Sequence, residues 1–213
     1  MLGPDLLLNA YRHGVFPMAI SPDRIVGAGK RGDIGWFSPD PRAVIPLNER
    51  FHVPHGLRRV LKQKKFDITF NTGFESVIRA CAKRKDGTWI SKEIIESYCE
   101  LHRLGHAHSV EVRLPPKSVS SSLIPHPSSF PLVGGLYGVH IGGAFFGESM
   151  FHRATDASKV ALVALVERLR SRGFVLLDTQ WQTPHLKQFG TCEISQREYL
   201  RRLERALKLD CEF

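Results

Sequence analysis

Between Leu132 and Gln180 the apolar residues change period twice, and this limits the fold more than any other feature. Leu132 to His140 and Ala144 to Phe151 alternate as strands, joined by Ile141-Gly142-Gly143 in a hairpin signature. Val160, Val163, Val166 and Leu169 then repeat at helical spacing until Gly173. Phe174 to Gln180 returns to a strand pattern. Hairpin, helix and strand in that order predict an α+β domain whose sheet is mostly antiparallel, with one strand–helix–strand unit near the C-terminus.

The remaining segments fit around that unit. Leu6, Leu7, Ala10 and Tyr11 predict a short helix ending at Gly14. The prolines in Phe16-Pro17 and Ser38-Pro39-Asp40-Pro41 predict extended or turning chain. Residues 1–42 therefore read as a small N-terminal domain, and 43–213 as the main one. A basic helix is expected around Leu57, Val60 and Leu61, followed by a strand from Phe66 to Phe70. Helices are expected from Gly73 to Ala82 and from Lys92 to Leu104, the second capped by Ser91 and stopped by Gly105. His108 to Leu114 reads as a strand, 115–131 as an exposed Ser- and Pro-rich loop, and Tyr199 to Leu207 as a basic helix.

Charge and cysteine usage narrow the function. With 30 Lys and Arg against 21 Asp and Glu, the formal net charge is +9, which suits a polyanionic partner and equally serves solubility. Cys81, Cys99, Cys192 and Cys211 form no C-x-x-C unit and no zinc template, so no metal is expected. Met1-Leu2-Gly3-Pro4-Asp5 lacks the basic start of a signal peptide, and the longest purely apolar run, Val160 to Val166, is too short to span a bilayer. A cytoplasmic protein with free thiols and no membrane partner is the expectation. No Gly-rich phosphate loop and no Gly-x-Ser-x-Gly elbow is present, so nucleotide-cofactor and serine-hydrolase chemistry have no support.

Three polar residues could do chemistry. Asp178 and Gln180 stand two apart on a predicted strand, which places both on one face, with Leu177 on the other face or at a pocket edge. A carboxylate there can orient the Gln amide, whose carbonyl can accept a hydrogen bond from an amine. The same pair can equally satisfy backbone groups at a strand end. Glu148 follows Gly147 among Phe145, Phe146, Met150 and Phe151. Such a carboxylate needs a partner, either Arg153 or a substrate cation. His106 and His108 are expected on one strand face, without a third ligand at short range.

Taken together, eight segments are specific. They are Ala10 to Pro17, Trp36 to Arg42, Gly87 to Ile90, Leu101 to Glu111, Leu132 to Val139, Phe146 to Phe151, Ala157-Ser158-Lys159 and Leu177-Asp178-Thr179-Gln180. In that order they resemble the bacterial leucyl/phenylalanyl-tRNA–protein transferases from about Leu6 to Leu203. The resemblance implies transfer of Leu or Phe, less often Met, from aminoacyl-tRNA to the α-amine of proteins beginning with Arg or Lys, feeding N-degron proteolysis. It implies a small N-terminal domain and an acetyltransferase-like (GNAT-like) C-terminal domain. An activated ester donor requires no cofactor, and a monomer is the default expectation.

By the same resemblance, Asp178 orients Gln180, which draws a proton from the attacking amine, and Glu148 holds the acceptor or the donor terminus. Leu136, Phe145, Met150 and Leu177 would cup the transferred side chain. Tyr11 and Trp89 would contact the 3′-terminal adenosine, and Arg58, Arg59 and Lys62 the tRNA backbone. Met18 stands where enteric-type sequences carry a Trp, and Thr183 replaces an Asn. Two other readings stay open: an acetyltransferase-like enzyme with a non-tRNA donor, and a non-catalytic RNA-binding module.

Overall fold

The computed structural model describes residues 2–20, 33–83, 87–116 and 130–213. Most of the loop expected at 115–131 lies outside them. The chain begins with helix α1 (Pro4–Arg12), whose C-terminal turn closes at Gly14 with φ 73°. Strands β1 (Phe16–Ala19) and β2 (Ile34–Phe37) pair antiparallel as a small sheet of their own.

The main sheet uses seven strands: β3 (Arg42–Ile45), β4 (Asp67–Phe70), β5 (Ala107–Arg113), β6 (Leu132–Ile141), β7 (Ala144–His152), β8 (Leu176–Gln180) and β9 (Cys192–Ile194). Their spatial order is β4-β5-β6-β7-β8-β3-β9. Among the described residues only β7 and β8 run parallel, and the other neighbours are antiparallel, so the sheet is mixed. The parallel pair is the strand–helix–strand unit, crossed by helix α5 (Ala157–Ser171).

Helices cover both faces. On one lie α1, α3 (Phe74–Ala82), α4 (Lys92–Arg103) and α7 (Gln196–Leu207), and on the other lie α2 (His55–Lys62), α5 and the short α6 (Pro184–Lys187). Strand alternation sorts neighbouring side chains between the two cores. Tyr137, Phe146 and Leu176 enter the first, while Leu136, Phe145 and Leu177 enter the second. Leu7, Leu8, Tyr11 and Phe16 share the first core with Tyr98 and Tyr199, so the N-terminal segment packs directly on the main sheet.

Caps account for several helix bounds. Ser91 accepts from the Ile94 amide, as expected, and Gly105 follows α4 at φ 83°. Helix α7 starts three residues before its expected start at Tyr199, because Ser195 and Glu198 form an S-x-x-E capping unit, with Ser195 Oγ accepting from the Glu198 amide. Strand β8 starts at Leu176, two residues later than expected. The glycines of β6 serve close packing: a Cβ at Gly134 would lie 2.5 Å from that of Ala157, and one at Gly138 would lie 2.3 Å from the Phe146 carbonyl oxygen. No helix among the described residues is long and apolar enough to cross a membrane.

Candidate active site

The parallel contact between β7 and β8 is short. Ala144, Phe145 and Phe146 pair with Leu176, Leu177 and Asp178, and beyond that point no register joins the strands. A bulge stands on each side of the split. The β6–β7 register slips between Tyr137 and Gly138, because Tyr137 faces Ser149 whereas Gly138 faces Gly147. Glu148 is the extra residue left between them. The β3–β8 register slips likewise, since Ala43 faces Gln180 and Val44 faces Asp178, leaving Thr179 unmatched. Bulges re-aim side chains that strict alternation would place otherwise.

Asp178 is the hub on the α7 side. Arg42 donates from Nε to Oδ1 at 2.9 Å and from Nη2 to Oδ2 at 2.6 Å. The Tyr199 hydroxyl donates to Oδ2 at 2.8 Å, and the Gln180 backbone N–H donates to Oδ1 at 2.9 Å. Arg42 also reaches the Gly14 carbonyl, and its guanidinium lies between the rings of Phe16 and Tyr199, 5.0 and 4.4 Å from their centroids. The expected contact between Asp178 and the Gln180 side chain is thus replaced by one to the Gln180 backbone. Asp178 faces Arg42 and α7, while Leu177, Thr179 and Gln180 line the pocket.

Glu148 does not pair with Arg153, the partner within the chain that the sequence suggested. Arg153 bonds the Leu132 carbonyl and covers the Phe151 ring. Glu148 instead accepts from Tyr11 Oη at 2.7 Å and from Tyr98 Oη at 3.4 Å, and the two phenols share a very short hydrogen bond. Burial pushes the Glu148 carboxyl up to about 8, with the Asp178 charge adding to the push and the Tyr11 hydroxyl opposing it. Burial, and then the Glu148 charge, raise both tyrosines well above the ordinary phenol range.

Gln180 carries the strain of the site. It sits at φ 59°, and the Trp181 N–H folds back onto the Thr179 carbonyl at 2.7 Å, closing a tight turn around it. Its Nε2 is buried and makes no hydrogen bond among the described residues. A bulky residue held in the left-handed region with an unpaired amide is the kind of local cost that functional sites retain.

Between the separated strands lies a pocket of about 640 Å³. Of the four residues expected in the cup, Leu136, Met150 and Leu177 line it. Phe145 does not; it lies at the closed end, where β7 and β8 are still paired, stacked 5.4 Å from Phe213. Trp89 lines the pocket with Phe16 and Met18. Tyr11, expected as a base contact, is fully buried with its ring 4.8 Å from that of Phe146, so it cannot stack on a base in this arrangement. Its hydroxyl holds Glu148 instead.

Arg58, Arg59 and Lys62 are exposed on α2, which Leu57 anchors to the α5 side of the sheet. Thr183 caps α6 through the Leu186 amide at the pocket rim. His106 precedes β5 rather than sharing its face with His108, whose Nε2 lies 2.7 Å from His140 Nδ1. Among the described residues no group of three or more His, Cys, Asp or Glu could hold a metal ion. Sequence reasoning missed Arg42, Tyr98, Tyr199 and Trp181. Arg42 closes one of the eight specific segments, yet an arginine gives no sequence signal of burial.

Comparison with known proteins adds an independent line. A family model described as leucyl/phenylalanyl-tRNA protein transferase matches residues 44–204, and the model of that family's N-terminal domain matches residues 1–40. A protein of Akkermansia muciniphila named leucyl/phenylalanyl-tRNA--protein transferase is 49% identical over 209 residues, 97% of each chain. One of the same name from Gloeobacter violaceus is 52% identical over 212 residues, 100% of this chain and 97% of its own. Another from Rubrobacter xylanophilus is 50% identical over 212 residues, 100% of this chain and 98% of its own. Among solved structures, that of FemX superposes with a TM-score of 0.52 at 13% identity, covering 91% of this chain and 67% of that one, a likeness of fold alone.

Proposed function

The chain belongs to the leucyl/phenylalanyl-tRNA–protein transferase family, and from that premise we propose how its centre works. It is an aminoacyltransferase that moves an aminoacyl group from tRNA to protein. The finer reading is that Leu or Phe, less often Met, passes to the α-amine of proteins that begin with Arg or Lys, in the cytoplasm, by a monomer whose products feed N-degron proteolysis. Residues 1–42 form its N-terminal domain and 43–213 an acetyltransferase-like domain. The parallel β7–β8 pair that separates beyond Asp178 supports the second assignment.

The observation that carries the mechanism is the pair of bulges across the split, which brings Glu148 and Gln180 to one apolar pocket. Leu136, Met150 and Leu177 receive the donor's side chain, and Trp89 receives part of its terminal nucleoside. The donor ester is already activated, so positioning supplies much of the acceleration. The acceptor nitrogen attacks the ester carbon; a C–N bond forms and the C–O bond to the ribose breaks. The proton lost by nitrogen ends on the ribose oxygen. Gln180 Oε1 accepts a hydrogen bond from the amine during attack, and Glu148 holds the cationic partner. Asp178 and Arg42 act from behind, by fixing the backbone of Gln180. Arg58, Arg59 and Lys62 meet the tRNA phosphates.

The direct test mixes charged leucyl-tRNA with a peptide beginning with Arg and follows formation of the N-terminal leucyl peptide. Product is expected with the unsubstituted protein, and D178A should cut transfer while tRNA binding persists. Acetyl-CoA binding without leucyl transfer would point to the non-tRNA acyltransferase. Equal loss of binding and transfer in D178A would point to a folding or binding role for Asp178 instead.

A further inference from the structure

The segment after α7, residues 208–213, changes sides of the sheet. Helix α7 buries Tyr199, Leu203 and Ala206 in the first core, whereas Cys211 and Phe213 pack against the second. The crossing runs over the β6–β7 turn. There the Gly143 N–H donates to the Ala206 carbonyl at 2.8 Å, and a Cβ at Gly142 would lie 2.8 Å from the same oxygen. Beyond the turn, the Phe213 ring stacks on Phe145 at 5.4 Å between centroids and on His108 at 4.3 Å, and meets Phe70 edge-on at 6.1 Å. The Arg168 guanidinium covers both Phe213 and Phe70, 4.8 and 4.4 Å from their centroids, while its buried Nε makes no hydrogen bond among the described residues. His108 is a fixed platform. Asn71 Oδ1 accepts from the Ser109 N–H, so Asn71 Nδ2 donates to His108 Nδ1 at 3.0 Å, and His108 Nε2 donates to His140 Nδ1 at 2.7 Å.

Phe145 connects this seat to the pocket. It is the register partner of Leu177 across β7 and β8, and both enter the second core. Its ring lies over Gly138, where a Cβ would come within 2.4 Å of Phe145 Cε1. Gly138 follows Leu136 on one face of β6. Leu136 and Leu177 both line the pocket, so the Phe145 ring backs the wall between them. We propose that Phe213 is a positioning residue that sets the depth of the side-chain cup, and with it the choice among donor amino acids, by holding the Phe145 ring in place. The inference rests on the cup assigned above and adds a residue outside it. Interiors are packed like organic crystals, so a void behind Phe145 draws its ring away from the cup, and a larger group there presses it inward. Little movement is needed, because one methylene in an apolar pocket already changes selectivity by about tenfold or more.

The test compares the unsubstituted protein with F213L, F213W and F213Y. For each, kcat/KM is measured with leucyl-tRNA and with phenylalanyl-tRNA against one Arg-starting peptide. The ratio of the two values within one preparation cancels any loss of folded protein. F213L deepens the cup and is expected to raise the ratio of Phe to Leu transfer by about tenfold. F213W presses Phe145 inward and should lower that ratio, while F213Y keeps the ring and should keep the parent's ratio. The acceptor KM should not move in any of them. A side chain that served folding alone would depress both donors equally. A ratio unchanged in F213L and F213W, or shifted the same way in both, overturns the inference while transfer by the parent still stands. A parent protein that transfers neither amino acid overturns the cup and the inference together.

Discussion

Arg42 and Asp178 meet through two hydrogen bonds, at 2.9 and 2.6 Å, with side chains only 1% and 0% exposed. An ion pair so far from water offers little net stability while intact, yet removing one partner strands the other. R42A is therefore expected to lose roughly 3–5 kcal/mol of folding stability. Because Asp178 also holds the Gln180 backbone, R42K should melt nearer the parent but transfer poorly, since an ammonium cannot reproduce the two-pronged contact. Denaturant melts paired with the transfer assay check this; an R42A protein as stable as its parent would contradict it.

Gln180 should show stability and activity moving in opposite directions. At φ 59° a side chain costs about 1–2 kcal/mol that glycine does not bear. Q180G is expected to raise the melting temperature and abolish transfer, whereas Q180A abolishes transfer without the gain. A Q180G protein with near-normal kcat would remove the amide from the mechanism.

Glu148 sets a pH dependence of known sign. Its folded pKa, about 8, lies above the ordinary carboxyl value of 4.5. Across that interval the folded state holds a proton that the unfolded chain has released. Stability from this group is therefore complete below about 4.5 and falls as pH rises through about 8. E148Q cannot titrate, so the melting temperatures of variant and parent should diverge in favour of the variant from pH 5 to pH 9. Parallel curves would show that the carboxyl does not carry the shift.

Arg58, Arg59 and Lys62 should act on affinity rather than chemistry. Removing one cation from a phosphate lowers the slope of log K against log salt by about 1, so R58A/R59A is expected to bind tRNA more weakly with a slope flatter by about 2. The rate of transfer at saturating tRNA should stay near that of the parent. A salt slope identical to the parent's would exclude α2 from the RNA interface.

The legible part of the fold was the part with clean periodicity. The hairpin of β6 and β7, helix α5 and strand β8 stood in the sequence because both faces of the sheet are covered and each apolar position has one place to go. The short strands β3 and β9 carry too few residues for a period to emerge. At the site, alternation was the wrong rule locally. Glu148 and Thr179 are extra residues in their ladders, and a register slip is decided by the paired strand, which no single segment encodes. Phe145 follows the same alternation as Leu136 yet lies below the opening, because the cup begins only where β7 leaves β8. Tyr11 was legible as important but not as buried; its hydroxyl found partners 87 and 137 residues away, which local pattern cannot reveal.

The Arg42 guanidinium joins the Gly14 carbonyl, Asp178 and Tyr199, partners up to 157 residues from it in the chain. A ribosome delivers them in sequence order, so during synthesis this arginine waits for its counter-ion until β8 has emerged, and for its second ring until α7 has. Interactions of such long sequence separation form late, after the local elements have ordered. The competent centre is thus among the last things the chain makes. An incomplete chain would be silent in the transfer reaction, and the onset of activity would serve as a clock for the end of folding.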